Sequence, residues 1–118
     1  MKRDKIYLKH ILEAIFNVEK FMEGLTKEEF FNNVEKQYAV IRGLEIIGEA
    51  VKNLSKELKT KYRDIPWKEI SGMRNKLIHE YFGVSLELVW VTIKIELPEL
   101  KKQIFKILKE IEKVENNI

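Results

Sequence analysis

Residues 85–114 read SLELVWVTIKIELPELKKQIFKILKEIEKV. Leu86, Trp90, Ile93, Leu97, Leu100, Ile104, Ile107 and Ile111 recur at alternating four- and three-residue spacing. That spacing gathers them on one side of an α-helix as a heptad-like seam. Ser85 stands where a helix cap is wanted, because its oxygen can accept an orphan N–H of the first turn. Pro98 falls inside the seam. Proline has no N–H and its ring crowds the preceding turn, so the spacing predicts a kink or a split there. The seam keeps its register across Pro98, so both halves face one core. Lys101, Lys102, Lys106, Lys109 and Lys113 decorate the same stretch and read as a solvated face beside acidic neighbours. A long helix with one apolar side must bury that side against other helices.

Upstream segments supply the other helices. Pro66 suits a first helical position, and Ile70, Met73, Leu77, Ile78 and Tyr81 make an apolar side that Gly83 can terminate. Thr26-Lys27-Glu28-Glu29 has the capping-box pattern and starts a helix running through Val40, Ile41, Leu44, Ile47, Val51 and Leu54. Gly43 and Gly48 inside it each cost about 1 kcal/mol relative to Ala, which predicts a close approach by a neighbouring element. Asp4 can cap a first helix carrying Leu8, Ile11, Leu12, Ile15, Val18 and Met22, with Gly24 as its stop. Ser55 to Ile65 is a polar, lysine-rich connection with room for a short helical turn. No strand pattern or repeat competes. The expected fold is all-α, a single domain over residues 1–118 built as an up-down bundle of four to five helices.

Composition narrows the function classes. The chain has 118 residues, 45% hydrophobic and 35% charged, which suits one core wrapped in solvated helices. There is no cysteine, which removes disulfides, thiolate catalysis and zinc–thiolate sites. The net charge of +3 and a pI near 9.0 are compatible with an anionic partner but do not amount to a nucleic-acid signature. No apolar run approaches the ~20 residues needed to span a bilayer. Met1-Lys2-Arg3-Asp4 leads into a mixed helical pattern without a leader-like apolar block, so a cytoplasmic location and no membrane partner are expected.

Arg74-Asn75-Lys76-Leu77-Ile78-His79-Glu80-Tyr81 resists reading as plain core. At about 100° per residue, Arg74 falls inside the stripe of Ile70, Met73, Leu77 and Tyr81, while Asn75 and His79, four apart, share the adjoining face. A guanidinium aimed at a packed side needs a carboxylate, a wet crevice or an anionic ligand. Glu45 and Glu49, one turn apart on the second helix, are the internal candidates. Two readings stay open on spacing alone. Arg74 pairs structurally with Glu49 while His79 and Tyr81 finish a helix, or the segment is a site. His10 reads as a surface or packing residue, Trp67 and Trp90 as core, and Tyr62-Arg63 as loop surface.

Arg74-x-x-x-x-His79-x-Tyr81 resembles the signature of the HEPN superfamily, in its HepT-like toxin branch. His10-Ile11-Leu12-Glu13-Ala14-Ile15 is similar to the opening helix of that family, and Leu44-Glu45-Ile46-Ile47-Gly48-Glu49-Ala50 to its second-helix block. Ile65-Pro66-Trp67 with Gly72-Met73-Arg74-Asn75 resembles the approach to the motif. Tyr81-Phe82, Val89-Trp90 and Leu97-Pro98-Glu99-Leu100 resemble its final section. The resemblance implies the toxin component of a type VII-like toxin–antitoxin system, a metal-independent endoribonuclease acting as a homodimer. It implies a cognate nucleotidyltransferase (MntA-like) antitoxin that silences the toxin by adenylylating Tyr81.

RNA carries its own nucleophile, the 2′-hydroxyl, so cleavage needs a base, an acid and positive charge at the phosphorane. His79 suits proton transfer, since histidine titrates near ~6.5 when unperturbed. Arg74 stays protonated and can grip phosphate with its fork. Asn75 and Tyr81 can position the substrate, and Glu49 can support Arg74. No cofactor or metal is expected. One motif supplies one histidine, so a two-fold dimer pairing two motifs would supply both acid and base. The alternative is a non-catalytic helical module that assembles with a nucleotidyltransferase and binds nucleotide through Arg74.

Overall fold

A computed structural model describes residues 2–79 and 85–117, with side chains for residues 3–73 and 85–117. In chain order the elements are α1 (Lys2–Met22), α2 (Lys27–Phe31), α3 (Val34–Lys52), α4 (Lys56–Lys61), α5 (Trp67–His79), α6 (Leu86–Val91), a π-helical turn (Thr92–Glu96) and α7 (Leu97–Asn116). No strand occurs among the described residues. The all-α expectation holds. The last three elements form one helical run, so the four long helices read from the sequence are present and two short ones, α2 and α4, join them.

Two sets of contacts fix the direction of the long helices. Asp4, at the start of α1, meets Ser55 just beyond α3, while Val18, near the end of α1, meets Gly43 at the middle of α3, so α3 runs opposite to α1. Lys5 pairs with Glu115 at 3.0 Å and Glu19 with Lys101 at 3.0 Å, so α7 also runs opposite to α1. Between them lies a core of Leu8, Ile11, Ile15 and Val18 from α1, Val40, Leu44, Ile47 and Val51 from α3, and Ile104 and Ile107 from α7. Burying these apolar faces drives the bundle together. Gly43 supplies the predicted close approach. A Cβ there would stand 2.4 Å from Val18 Cγ2, so α1 and α3 can come this near only because the side chain is absent. Gly48 is buried too.

Three local details differ from the sequence reading. The helix expected to run from Thr26 is interrupted at Asn32-Asn33. Thr26 and Glu29 do form the capping box, but on the short α2. Asn33 then caps α3, its Oδ1 accepting the Lys36 N–H at 3.0 Å. Asn32 turns its amide back to the Glu28 carbonyl at 3.0 Å. Adjacent asparagines offer the backbone alternative hydrogen bonds and so break the helix.

Asp4 does not cap α1. It is 2% exposed and accepts from both the N–H and the hydroxyl of Ser55. Tyr62 is not loop surface. It ends α4, packs against the core and donates its hydroxyl to Glu110.

The seam of the last run is buried as predicted from Ile93 through Ile111. The disturbance tied to Pro98 takes the form of a π turn. The Leu97 N–H reaches back to the Thr92 carbonyl, a five-residue span. This widened turn sits immediately before the proline, where an α-helical path would bring the ring against the Lys94 carbonyl. Thr92, buried within the turn, satisfies its hydroxyl on the Leu88 carbonyl at 2.9 Å.

Candidate active site

α5 carries Arg74, Asn75 and His79. It starts directly after Pro66, whose carbonyl accepts the Ile70 N–H at 3.1 Å. Trp67 anchors that start, being buried and donating its indole N–H to the Tyr62 carbonyl at 3.0 Å. The trend of the helix therefore follows from a fixed φ at Pro66 and one buried ring. Ile70 and Met73 pack against the core, and α5 lies along α3. On this backbone Asn75 and His79 stand one turn apart, with Arg74 on the neighbouring position. The side chains of residues 74–79 lie outside the described residues, as do Tyr81 and the expected helix stop Gly83.

The α3 wall holds the two acidic candidates. Glu45, partly buried, accepts from Arg42 Nη1 at 3.2 Å, one turn away on its own helix. Glu49 is exposed one turn further on. Both line an open groove of about 340 Å³ with Tyr7 and His10 of α1. His10 is exposed and stands edge-on to the Tyr7 ring, with centroids 6.1 Å apart, in keeping with a surface residue. Whether Glu49 meets Arg74 depends on a side chain outside the described residues.

A second depression was not foreseen. It measures about 510 Å³ and is walled by Ile47 of α3, Ile70 and Met73 of α5, Ile95 of the π turn, and Leu97, Leu100 and Gln103 of α7. Glu69, Glu96 and Glu99 stand at its edge. Met73, in its wall, immediately precedes Arg74 in the sequence. The signal was Ile95, an isoleucine off the seam, which is 67% exposed.

Among the described residues two titrating groups shift clearly, Glu29 and Tyr62. The Thr26 backbone N–H, then its hydroxyl, lowers Glu29 below the usual carboxylate range. Burial, followed by the Glu110 hydrogen bond and charge, pushes the Tyr62 phenol up to about 12. Among the described residues no three His, Asp or Glu side chains converge on a possible metal site. No helix is long and apolar enough to cross a membrane, among those residues.

An all-α bundle that carries Arg-x-x-x-x-His on a helix against its second long helix is a HEPN-type architecture, and comparison with known proteins agrees. The family described as Ribonuclease HepT-like matches residues 11–107. The chain belongs to this HepT-like ribonuclease family. A Methanocaldococcus jannaschii protein named "Putative RNase MJ1216" is 50% identical over 117 residues, 98% of this chain and 97% of the relative. A Thermococcus cleftensis protein named "Probable ribonuclease HepT" is 46% identical over 110 residues, 92% of this chain and 100% of the relative. Another M. jannaschii protein, "Gamma-glutamylcyclotransferase and putative RNase MJ0434", is 50% identical over 118 residues, and there the chain spans 53% of the relative's length. No solved structure matches the chain.

Proposed function

We propose that this chain is the toxin of a type VII-like toxin–antitoxin pair, a cytoplasmic endoribonuclease working without a metal at a composite homodimer site. The observation that carries the reading is membership of the HepT-like ribonuclease family together with Arg74, Asn75 and His79 on α5. In the proposed reaction the 2′-oxygen bonds to phosphorus as a His79 base removes its proton. The bond to the 5′-oxygen breaks, and the partner protomer's copy of this histidine protonates that oxygen. The products are a 2′,3′-cyclic phosphate and a 5′-hydroxyl, which balances the proton count. Arg74 stabilises the charge gathering on the phosphorane oxygens. Asn75 and Tyr81 position the phosphate, and Glu49 supports Arg74.

The partner in this reading is a nucleotidyltransferase antitoxin that adenylylates Tyr81. Tyr81 stands seven residues after Arg74 in the sequence, the spacing of two helical turns. Added bulk and negative charge there would exclude an anionic substrate. A Tyr81→Phe variant should escape silencing, the toxicity it retains being the same with and without the partner. Silencing of that variant without transfer to another residue would remove adenylylation of Tyr81 from the proposal.

The deciding experiment incubates purified protein with total RNA in EDTA, wild type against His79→Ala. Cleavage by wild type alone, leaving cyclic phosphate ends, is the expected outcome. Equal cleavage by both, or none by protein shown free of adenylate on Tyr81, would favour the non-catalytic module.

A further inference from the structure

The outward face of α7 holds a concentration of charge that the proposed cleavage does not use. Lys102, Lys106, Lys109 and Lys113 are all exposed. Their spacing of four, three and four residues puts them in a sector about 60° wide, opposite the buried seam, over about 16 Å of helix. Each lysine therefore has a like charge as its helical neighbour, an arrangement that repels. Among the described residues Lys5, Lys27 and Lys101 hold carboxylates, whereas none of these four does. In a chain whose net charge is only +3, this is a local excess.

Aromatic rings border the stripe. Lys102, Phe105, Lys106 and Lys109 line an open depression of about 440 Å³ with Glu110. The Glu110 carboxylate is engaged by the Tyr62 hydroxyl. Phe105 is 40% exposed and stands edge-on to Phe16, which is 46% exposed, with ring centroids 6.1 Å apart. Lys101 Nζ lies 4.7 Å from the centre of the Phe16 ring. Partly exposed rings beside unpaired lysines are the two components of a single-strand binding surface. The lysines follow phosphates, and the rings accept unstacked bases.

We propose that Lys102, Lys106, Lys109 and Lys113, with the Phe16–Phe105 pair, form a second contact surface for single-stranded RNA, outside the cleavage motif. Charge complementarity selects the polyanion, and the rings favour one with free bases over a paired helix. The inference rests on the nuclease reading for its biological sense.

The probe is a fluorescent 2′-O-methyl oligoadenylate, which lacks the nucleophile and cannot be cut. Its affinity is measured by anisotropy across a salt series, for the full chain and its variants. The triple variant Lys102→Gln, Lys106→Gln, Lys109→Gln should lose about 2 units from the slope of log affinity against log salt, at about 0.7 per phosphate contact. Phe105→Ala should weaken binding about five- to a hundredfold. Circular dichroism melting checks that each variant is folded. An unchanged slope in the triple variant, or no binding by wild type, overturns the surface. Unchanged affinity in Phe105→Ala overturns its stacking role. Stripe-dependent capture of phosphatidylserine vesicles with stripe-independent RNA binding overturns it in favour of a lipid surface. Loss of cleavage in EDTA with stripe-dependent binding retained would count against the nuclease reading alone.

Discussion

Asp4 and Ser55 are joined twice, the Ser55 N–H reaching Asp4 Oδ1 at 2.7 Å and its hydroxyl reaching Oδ2 at 2.6 Å. Ser55 Oγ also accepts the Leu58 N–H at 3.1 Å, so one carboxylate on α1 fixes the residue that starts α4. Because Asp4 is buried, its removal leaves the Ser55 N–H without its partner. Asp4→Ala is expected to cost about 1–3 kcal/mol. Ser55→Ala keeps the N–H bond to Asp4 but loses the hydroxyl bond and the α4 cap, and should cost a comparable amount. Urea unfolding of both variants, with the double variant, measures this. Additive single effects would show that the two residues do not act as a unit.

Gly43 marks the closest approach of α1 and α3. Its missing Cβ would stand 2.4 Å from Val18 Cγ2, and Val18 is fully buried. A β-branched side chain has little rotamer freedom with which to yield. Gly43→Ala gains about 1 kcal/mol of helix propensity and loses about 1–3 kcal/mol to overpacking. The expected outcome is net destabilisation in thermal unfolding, relieved when Val18→Ala is added. A stabilised single variant would show that the two helices separate easily.

The contrast between Gly43 and Asp4 explains what was readable in the sequence. Apolar periodicity and an interior glycine are local signals, and the buried seam from Ile93 to Ile111 and the glycine contact follow from them. The partner of Asp4 lies 51 residues away, and nothing local distinguishes a capping aspartate from one reaching across the fold. The role of Tyr62 is hidden for the same reason, since Glu110 is 48 residues distant. At the candidate site, the placement of Arg74, Asn75 and His79 on one helix was legible from the apolar stripe around them. The Arg42–Glu45 pair was not, because an arginine one turn away competes for a carboxylate without changing the apolar pattern.

The Tyr62–Glu110 contact predicts a response to alkali. The folded phenol titrates at about 12 against an ordinary 10.0, raised by burial, the Glu110 hydrogen bond and the Glu110 charge. A raised pKa contributes stability fully below the unfolded value and loses it as pH climbs through the folded one. Wild type should therefore lose stability relative to Tyr62→Phe between about pH 10 and 12. Below that window Tyr62→Phe should be weaker by about 0.5–1.5 kcal/mol, the worth of one hydrogen bond. Denaturant unfolding at a series of pH values measures the difference. Parallel pH profiles for the two proteins would refute it.

The composite site makes a quantitative prediction about mixed dimers. If cleavage needs His79 from both protomers, a dimer with one His79→Ala chain is dead. Wild type and variant mixed in equal parts and allowed to exchange then give activity from homodimers of wild type alone, about a quarter of the unmixed rate. If each protomer carries a self-sufficient histidine, the mixture keeps about half. The initial rate on a fixed RNA, followed as the wild-type fraction is lowered, should therefore fall as its square. A linear fall would place acid and base within one chain and leave Tyr81 or water to take the second proton-transfer role.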